Sequence, residues 1–379
     1  MNVTKFFQLP YCIERLYHSS FIIHHLKRKS MNHKYIYLLP WCVLLLTGAA
    51  YAGNPDRQGE AGANQLLVNP WARSAGLHTM NTANITGTDA MFLNVAGMSR
   101  ITKTQFQLGH SRYLVGADIN LNALGFAQKV GKGGTFGVSL VAFDLGDFDL
   151  TTEDTPEGSE ATFSPSFFNM GLSYSHLFAN KVSVGVTAKF VNESISNARA
   201  SAFALDAGVQ YVTGEKDNFK FGISLRNVGT KMKYQGEGLS KSLPNPGPTF
   251  PYNNTYYERS AAFELPSQLN IGMSYDWLLG SANRLTMVLN FTSNAFSRDQ
   301  AGGGLEFALG QNFALRAGYK FEFDAVTGEE TIDNGVSAGF SVSLPVKKGS
   351  NTRVALDYGY RATDIFDGIH NIGLRLDLD

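Results

Sequence analysis

The chain has 379 residues, enough for one large all-β domain or two ordinary ones. Lys+Arg and Asp+Glu balance at 32 each, which excludes the basic excess that a nucleic-acid surface needs. Only 17% of the residues are charged, yet no apolar run reaches the ~18 residues of a membrane-spanning helix.

Residues 31–52 read as a secretory signal within a leader that covers residues 1–52. His33 and Lys34 give a charged start, Tyr35 to Leu46 an apolar stretch, and Ala50-Tyr51-Ala52 a small-residue cleavage site before Gly53. The apolar run continues past Cys42, which argues against a lipoprotein site there. Met1 to Ser30 carries no recognisable signal, and translation is expected to begin at Met31. Cys12 and Cys42 are the only cysteines, so the body of the chain has no disulfide framework and no thiolate metal site.

Residues 53–100 do not alternate. They are rich in Ala, Asn, Gly and Thr, which allow close backbone packing and local side-chain hydrogen bonds. Trp71, Leu77, Met91, Phe92 and Leu93 are too apolar for a solvated linker, so this stretch is expected to fold as a plug.

From residue 101 to the end, about fourteen segments alternate with a period of two, the mark of strands with one apolar and one polar face. Their expected spans are 101–113, 116–130, 134–146, 166–177, 181–194, 202–213, 218–230, 266–277, 284–297, 301–309, 313–323, 333–345, 351–361 and 369–378. In 313–323 every odd position is apolar. In 116–130, Leu124 and Phe126 break the phase.

The connections carry a second signal. Those after even-numbered strands are short, such as Gly131–Gly133 and Gly310–Asn312, and the long ones all follow odd-numbered strands. Outer-membrane barrels have short periplasmic turns and longer outer loops. Lipid cannot hydrogen-bond backbone, so an open sheet edge is excluded and the last strand must pair with the first. The fold class is therefore all-β: a transmembrane antiparallel β-barrel of about 14 strands over 101–379, with an N-terminal plug in a bore of this size. On this reading Leu315→Arg costs ~2–4 kcal/mol if Leu315 is near the bilayer midplane, and Arg316→Leu costs far less.

No catalytic chemistry emerges. Gly335-Val336-Ser337-Ala338-Gly339 matches G-x-S-x-G, but it sits inside an alternating strand with no helix after it, and the serine needs a strand-to-helix elbow. Asp144, Asp147, Asp149, Glu153, Asp154, Glu157 and Glu160 cluster without EF-hand spacing. His78, His110, His176 and His370 lack metal-ligand spacing. No enzyme activity, cofactor or metal is expected. The longest outer loop, Lys231–Leu265, carries Pro244, Pro246, Pro248 and Pro251, then Tyr252, Tyr256, Tyr257 and Phe263. Stiffened backbone with exposed aromatics suits a partner-binding loop; a lid over the barrel mouth fits the same composition.

Ala72-Arg73-Ser74-Ala75-Gly76, then Asp89-Ala90, then Asn94-Val95-Ala96-Gly97 resembles the start of the PorV/PorQ family, and the likeness in kind extends to the C-terminus. The plug motif so marked is Arg73, Ser74, Gly76, Asp89, Asn94 and Gly97. The resemblance implies a fourteen-stranded barrel related to the FadL fatty-acid transporters, in the outer membrane of a Gram-negative cell and in contact with its lipid. It implies service in the type IX secretion system: receiving secreted cargo proteins through their C-terminal signal domain, and passing them to the attachment complex that holds the sortase. The FadL relationship implies the alternative, a channel for hydrophobic small molecules. Val95 stands where the family has proline, and Leu77-His78 where Met-Gly is common, which leaves PorV-type and PorQ-type both open.

Overall fold

The computed structural model describes residues 55–151, 155–158, 161–245, 252–323, 332–347, 349–364 and 366–379. The signal stretch, Glu153, Asp154, Glu160, Pro246, Pro248 and Pro251 lie outside the described residues.

In chain order the strands are β1 (Thr104–Leu114), β2 (Ile119–Val130), β3 (Gly134–Asp144), β4 (Phe148–Asp149), β5 (Thr162–Phe163), β6 (Ser166–Phe178), β7 (Val182–Ile195), β8 (Ala198–Thr213), β9 (Phe219–Gly229), β10 (Ser240–Pro244), β11 (Asn253–Tyr257), β12 (Gln268–Leu279), β13 (Asn283–Asn294), β14 (Gln300–Leu309), β15 (Phe313–Glu322), β16 (Asp333–Pro345), β17 (Arg353–Thr363) and β18 (Ile369–Leu378). Each of the fourteen expected segments holds one wall strand. The other four strands form two small hairpins in the long loops, β4–β5 and β10–β11, which alternation over such short runs could not announce.

The wall is a closed antiparallel barrel. Its seam joins first strand to last in one unbroken register, from Thr104 opposite Leu378 to Arg112 opposite His370. Closure leaves no unpaired edge in the apolar region, which lipid would penalise heavily.

Burial is inverted relative to a water-soluble sheet. Leu108, Leu172 and Leu374 project outward and are about half exposed, while Ser111, Ser173 and Asn371 are fully buried inside. Along neighbouring strands Leu140, Leu124, Leu108, Leu374 and Leu356 stand opposite one another and form part of a continuous outer belt. Apolar surface on this scale is stable only against hydrocarbon.

The phase break expected in β2 is corrected by the structure. Leu124 and Phe126 keep the outward phase, with Leu124 45% exposed. The exception is Leu121, which turns inward and is completely buried beside Trp71, Val141 and Phe143. An apolar residue faces the bore there because the bore holds apolar chain rather than water.

Residues 55–100 fill that bore as short turns, including α1 (Ala72–Ala75) and α2 (Ala90–Leu93). The segment starts at the long-loop end, where Gly62 N–H donates to Glu264 O at 3.0 Å. It finishes near the short-turn end, where Arg100 reaches Lys181 O at 3.5 Å. Wall and plug approach backbone to backbone. A Cβ on Gly359 would lie 2.4 Å from Ala72 O, and one on Gly208 would lie 2.1 Å from Asn94 Oδ1. Inward glycines thus act as seats, and only the missing side chain lets the plug in.

Candidate functional site

All six plug-motif residues lie in the bore, and each has a structural partner. Arg73 follows from α1, which turns its guanidinium to Asp89 Oδ2 at 3.0 Å and to Thr86 O at 2.8 Å. Burial opposes the charge on Arg73. Asp89 and Asp357 outweigh it and hold the guanidinium above its ordinary pKa. Ser74 Oγ donates to Asn81 Oδ1 at 2.6 Å. Gly76 packs on the wall, where a Cβ would stand 3.1 Å from Gly339 Cα.

Asn94 is the most heavily used of the six. Its Oδ1 caps the following 3-10 turn through Ala96 N–H at 3.3 Å, and its Nδ2 donates to Thr82 O at 3.0 Å and Val209 O at 3.1 Å. A Cβ on Gly97 would meet Ile85 O at 2.1 Å. The motif therefore folds the plug on itself and ties it to β8, β16 and β17.

The four aromatic residues expected to act together at the outer loop separate into two groups. Tyr252, Tyr256 and Tyr257 lie on or beside the β10–β11 hairpin and are 57%, 47% and 63% exposed. Adjacent strand positions point Tyr256 and Tyr257 to opposite faces of the hairpin. Tyr257 OH donates to Glu237 Oε2 at 3.2 Å. Phe263 is elsewhere. It is half-buried against Tyr234, with ring centroids 5.9 Å apart, and pairs backbone with Met232.

Phe263 also lies over the start of the plug, where a Cβ on Gly62 would touch its ring. The next residue, Glu264, bridges to Ala61 and pairs with Lys231 at 3.0 Å. Hydrogen bonding to Lys231 holds the Glu264 carboxyl below the usual carboxylate range. The hairpin thus leaves its tyrosines exposed, while the chain just after it is joined to the plug at Phe263 and Glu264.

A buried polar network under this junction escaped the sequence reading. Asp206 is skipped in the β8–β9 register, and its carboxylate faces Lys189 Nζ at 2.5 Å. Asn227, at positive φ, donates its N–H to Asp206 Oδ1 at 2.8 Å and accepts from Lys189 at 3.0 Å. Nearby, Gln65 of the plug donates to Glu193 Oε1 at 2.7 Å, and Tyr234 donates to the other oxygen of Glu193. Burial, with that donation to Glu193, pushes the Tyr234 hydroxyl pKa up. Arg226 stacks over Phe92 at 4.1 Å and donates to Leu66 O at 3.1 Å. The available signal was the set of charges on the inward phase of β7, β8 and β9.

Above the plug, a cleft of about 350 Å³ opens at the mouth, lined by Val68, Tyr113, Ile119, Phe143, Phe167 and Tyr234 among others. Beneath it, the gap between plug and wall at Leu66, Trp71, Phe92 and Lys189 shrinks to about 20 Å³, room for one water. Among the described residues no group of three or more His, Cys, Asp or Glu side chains is placed to hold a metal.

A sealed fourteen-stranded wall, greasy outside and polar inside, with its own N-terminal chain packed in the bore, defines a plugged transmembrane β-barrel. The model for the family described as type IX secretion system protein PorV matches residues 54–300. The chain belongs to that family.

Among solved structures, the chain is similar to the toluene transporter TodX of Pseudomonas putida, with 13% identity and a TM-score of 0.51 over 85% of this chain and 98% of that one. It is also similar to a FadL homologue of Pseudomonas aeruginosa, with 12% identity and a TM-score of 0.50 over 82% and 98%. At such identity the likeness is one of fold. No curated protein sequence matches the chain.

Proposed function

We propose that this protein is a non-enzymatic receptor of type IX secretion in the Gram-negative outer membrane, reached through a cleaved signal over 31–52. It holds secreted cargo by the C-terminal signal domain at the outer mouth and passes it to the attachment complex with the sortase. The observation that carries this reading is the β10–β11 hairpin. It presents Tyr252, Tyr256 and Tyr257 to the outside, in a chain that belongs to the PorV family. Exposed tyrosines on a short, paired scaffold bury large area at low entropic cost, as interface anchors do.

Leu239 O accepts from Glu258 N–H at 2.8 Å, so the hairpin can be excised between them and its ends rejoined by a short glycine linker. The shortened protein is expected to remain a folded barrel and to lose co-purification with secreted cargo. Undiminished co-purification would refute the role of the hairpin.

A second reading, a channel for hydrophobic small molecules, draws on the mostly apolar cleft at the mouth and the fold shared with a toluene transporter. The 20 Å³ gap below that cleft weighs against passage there. Lipid or fatty acid retained through purification, or growth defects limited to hydrophobic nutrients, would favour the channel.

A further inference from the structure

The outer cleft of about 350 Å³ holds a single carboxylate, that of Glu193, and no lysine, arginine or histidine lines it. Four aromatic rings surround that charge. Phe143 on β3, Phe167 on β6 and Glu193 on β7 stand opposite one another in register. Such cross-strand neighbours lie ~5 Å apart at Cβ. Tyr234 touches Glu193 through its hydroxyl, and Tyr113 meets Phe143 edge-on with ring centroids 6.5 Å apart.

Glu193 is 4% exposed. Its oxygens accept from Gln65 Nε2 at 2.7 Å and from the Tyr234 hydroxyl, both neutral donors. Among the described residues it forms no ion pair, because the cations of the neighbouring strands are committed elsewhere. Lys189, four residues back along β7, is held by Asp206 at 2.5 Å and Asn227 at 3.0 Å. Arg226 lies over Phe92 and donates to Gln268 at 3.0 Å and to Leu66 O at 3.1 Å. Arg361, whose charge reaches Tyr113, pairs with Asp333 at 3.6 Å and is not part of the lining. A buried carboxylate without a counter-ion is costly, and hydrogen bonds from neutral groups leave its charge uncancelled.

The rings select the kind of cation that fits. Aromatic faces attract positive charge, and groups of them recognise quaternary ammonium ions. A primary ammonium or a guanidinium brings several N–H donors that each need an acceptor, whereas a quaternary head brings none. The cleft is also larger than such a head, and Val68, Ile119 and Leu145 supply aliphatic wall for an apolar body. The approach is acidic: residues 144–165, which connect Leu145 to Phe167, carry seven acidic residues and no basic one. Such a segment raises the local concentration of cations. Beneath the cleft the way narrows to the 20 Å³ gap, so a solute that enters from outside is held rather than passed on.

We propose that the outer cleft binds a quaternary ammonium solute, its head against Glu193, Phe167 and Tyr234 and its apolar body along Phe143, Tyr113 and Ile119.

The test uses full-length protein purified in a maltoside detergent and titration calorimetry with benzyltrimethylammonium. Benzyl alcohol, tetramethylammonium and a hexalysine peptide serve as comparators. Benzyltrimethylammonium is expected to bind saturably, at least tenfold more tightly than benzyl alcohol and at least threefold more tightly than tetramethylammonium. Glu193→Gln is expected to weaken it tenfold or more and Phe167→Leu at least threefold. Asp217→Asn, which removes one negative charge at the short-turn end, leaves it unchanged. Heat-modifiable gel migration reports that each variant is folded; should Glu193→Gln fail to fold, Phe167→Leu decides alone. No binding, equal binding of benzyl alcohol or of tetramethylammonium, or undiminished binding by the folded cleft variants would overturn the proposal. Tighter binding of the hexalysine peptide would also overturn it, in favour of a polypeptide occupant. Cargo capture is not among the readouts, so the outcome is independent of the secretion role.

Discussion

The sidedness of the wall can be tested with three substitutions whose costs the structure ranks. Leu108 is the fifth of eleven residues in β1 and is 53% exposed on the outer face. A strand tilted by ~40° climbs about 2.5 Å along the membrane normal per residue, so Leu108 sits about 10 Å above the inner end of a ~25 Å apolar band. Leu108→Arg puts a charge near the midplane and is expected to cost ~2–4 kcal/mol. Leu315 is only two residues into β15, about 5 Å from its inner end. The guanidinium of Leu315→Arg reaches the headgroups, and the expected cost falls to ~0–1 kcal/mol. Arg316→Leu, by contrast, is no longer the cheap change that a lumen position alone suggests. Arg316 donates to Glu306 at 2.7 Å and to Ser341 Oγ at 2.6 Å, so its loss leaves buried Glu306 with Arg284 alone. Losing such charge-assisted bonds costs ~1–3 kcal/mol. The assay is reversible urea unfolding in lipid vesicles, followed by tryptophan fluorescence. The expected order is Leu108→Arg, then Arg316→Leu, then Leu315→Arg. If Leu315→Arg proves as damaging as Leu108→Arg, the depth assignment fails; if Leu108→Arg costs nothing, the lipid face is wrong.

Three further outcomes follow from the interior. Gly359→Val drives side-chain carbon into Ala72 O and Gly76 N, both backbone, so the barrel should stay heat-modifiable while the plug becomes open to protease; a protected plug would deny that the glycines are seats. Asp206→Ala strands Lys189 in the bore with Asn227 as its remaining partner and should cost ~3–5 kcal/mol, much of it recovered when Lys189→Met is added; equal cost in the double variant would show that the pair is not coupled. His78 is 1% exposed with no partner on either ring nitrogen, and burial, with Lys320 and Arg361 nearby, pushes its pKa down to about 2. The unfolded chain takes up a proton below about pH 6.5 while the folded one does not, so stability falls as pH drops, by about 2 kcal/mol at pH 5. In His78→Gln that slope should flatten, as read from urea midpoints at pH 7 and pH 5.

The wall was legible because a barrel strand must keep period two over its whole length, with one face set by hydrocarbon. Plug contacts were not legible in the same way. Leu124 and Phe126 look out of phase until Leu121 is seen turned inward beside Trp71, and nothing local to Gly208 or Gly359 announces a neighbour more than a hundred residues away. Phe263 and the three tyrosines share one loop in sequence, yet backbone pairing to Met232 draws Phe263 down onto the plug. The ion pairs were visible as charges on inward positions, but their partners depend on which strands become neighbours and on the skipped residue at Asp206.

The leading end of the plug is fastened to Glu264 at the outer mouth, and its trailing end runs into β1 at the opposite end. Between them its backbone touches the wall at the glycine seats. The inner end is continuous with the wall and the outer end is held by the Gly62–Glu264 hydrogen bond. Clearing the bore therefore requires the outer fastening to let go while the covalent one holds.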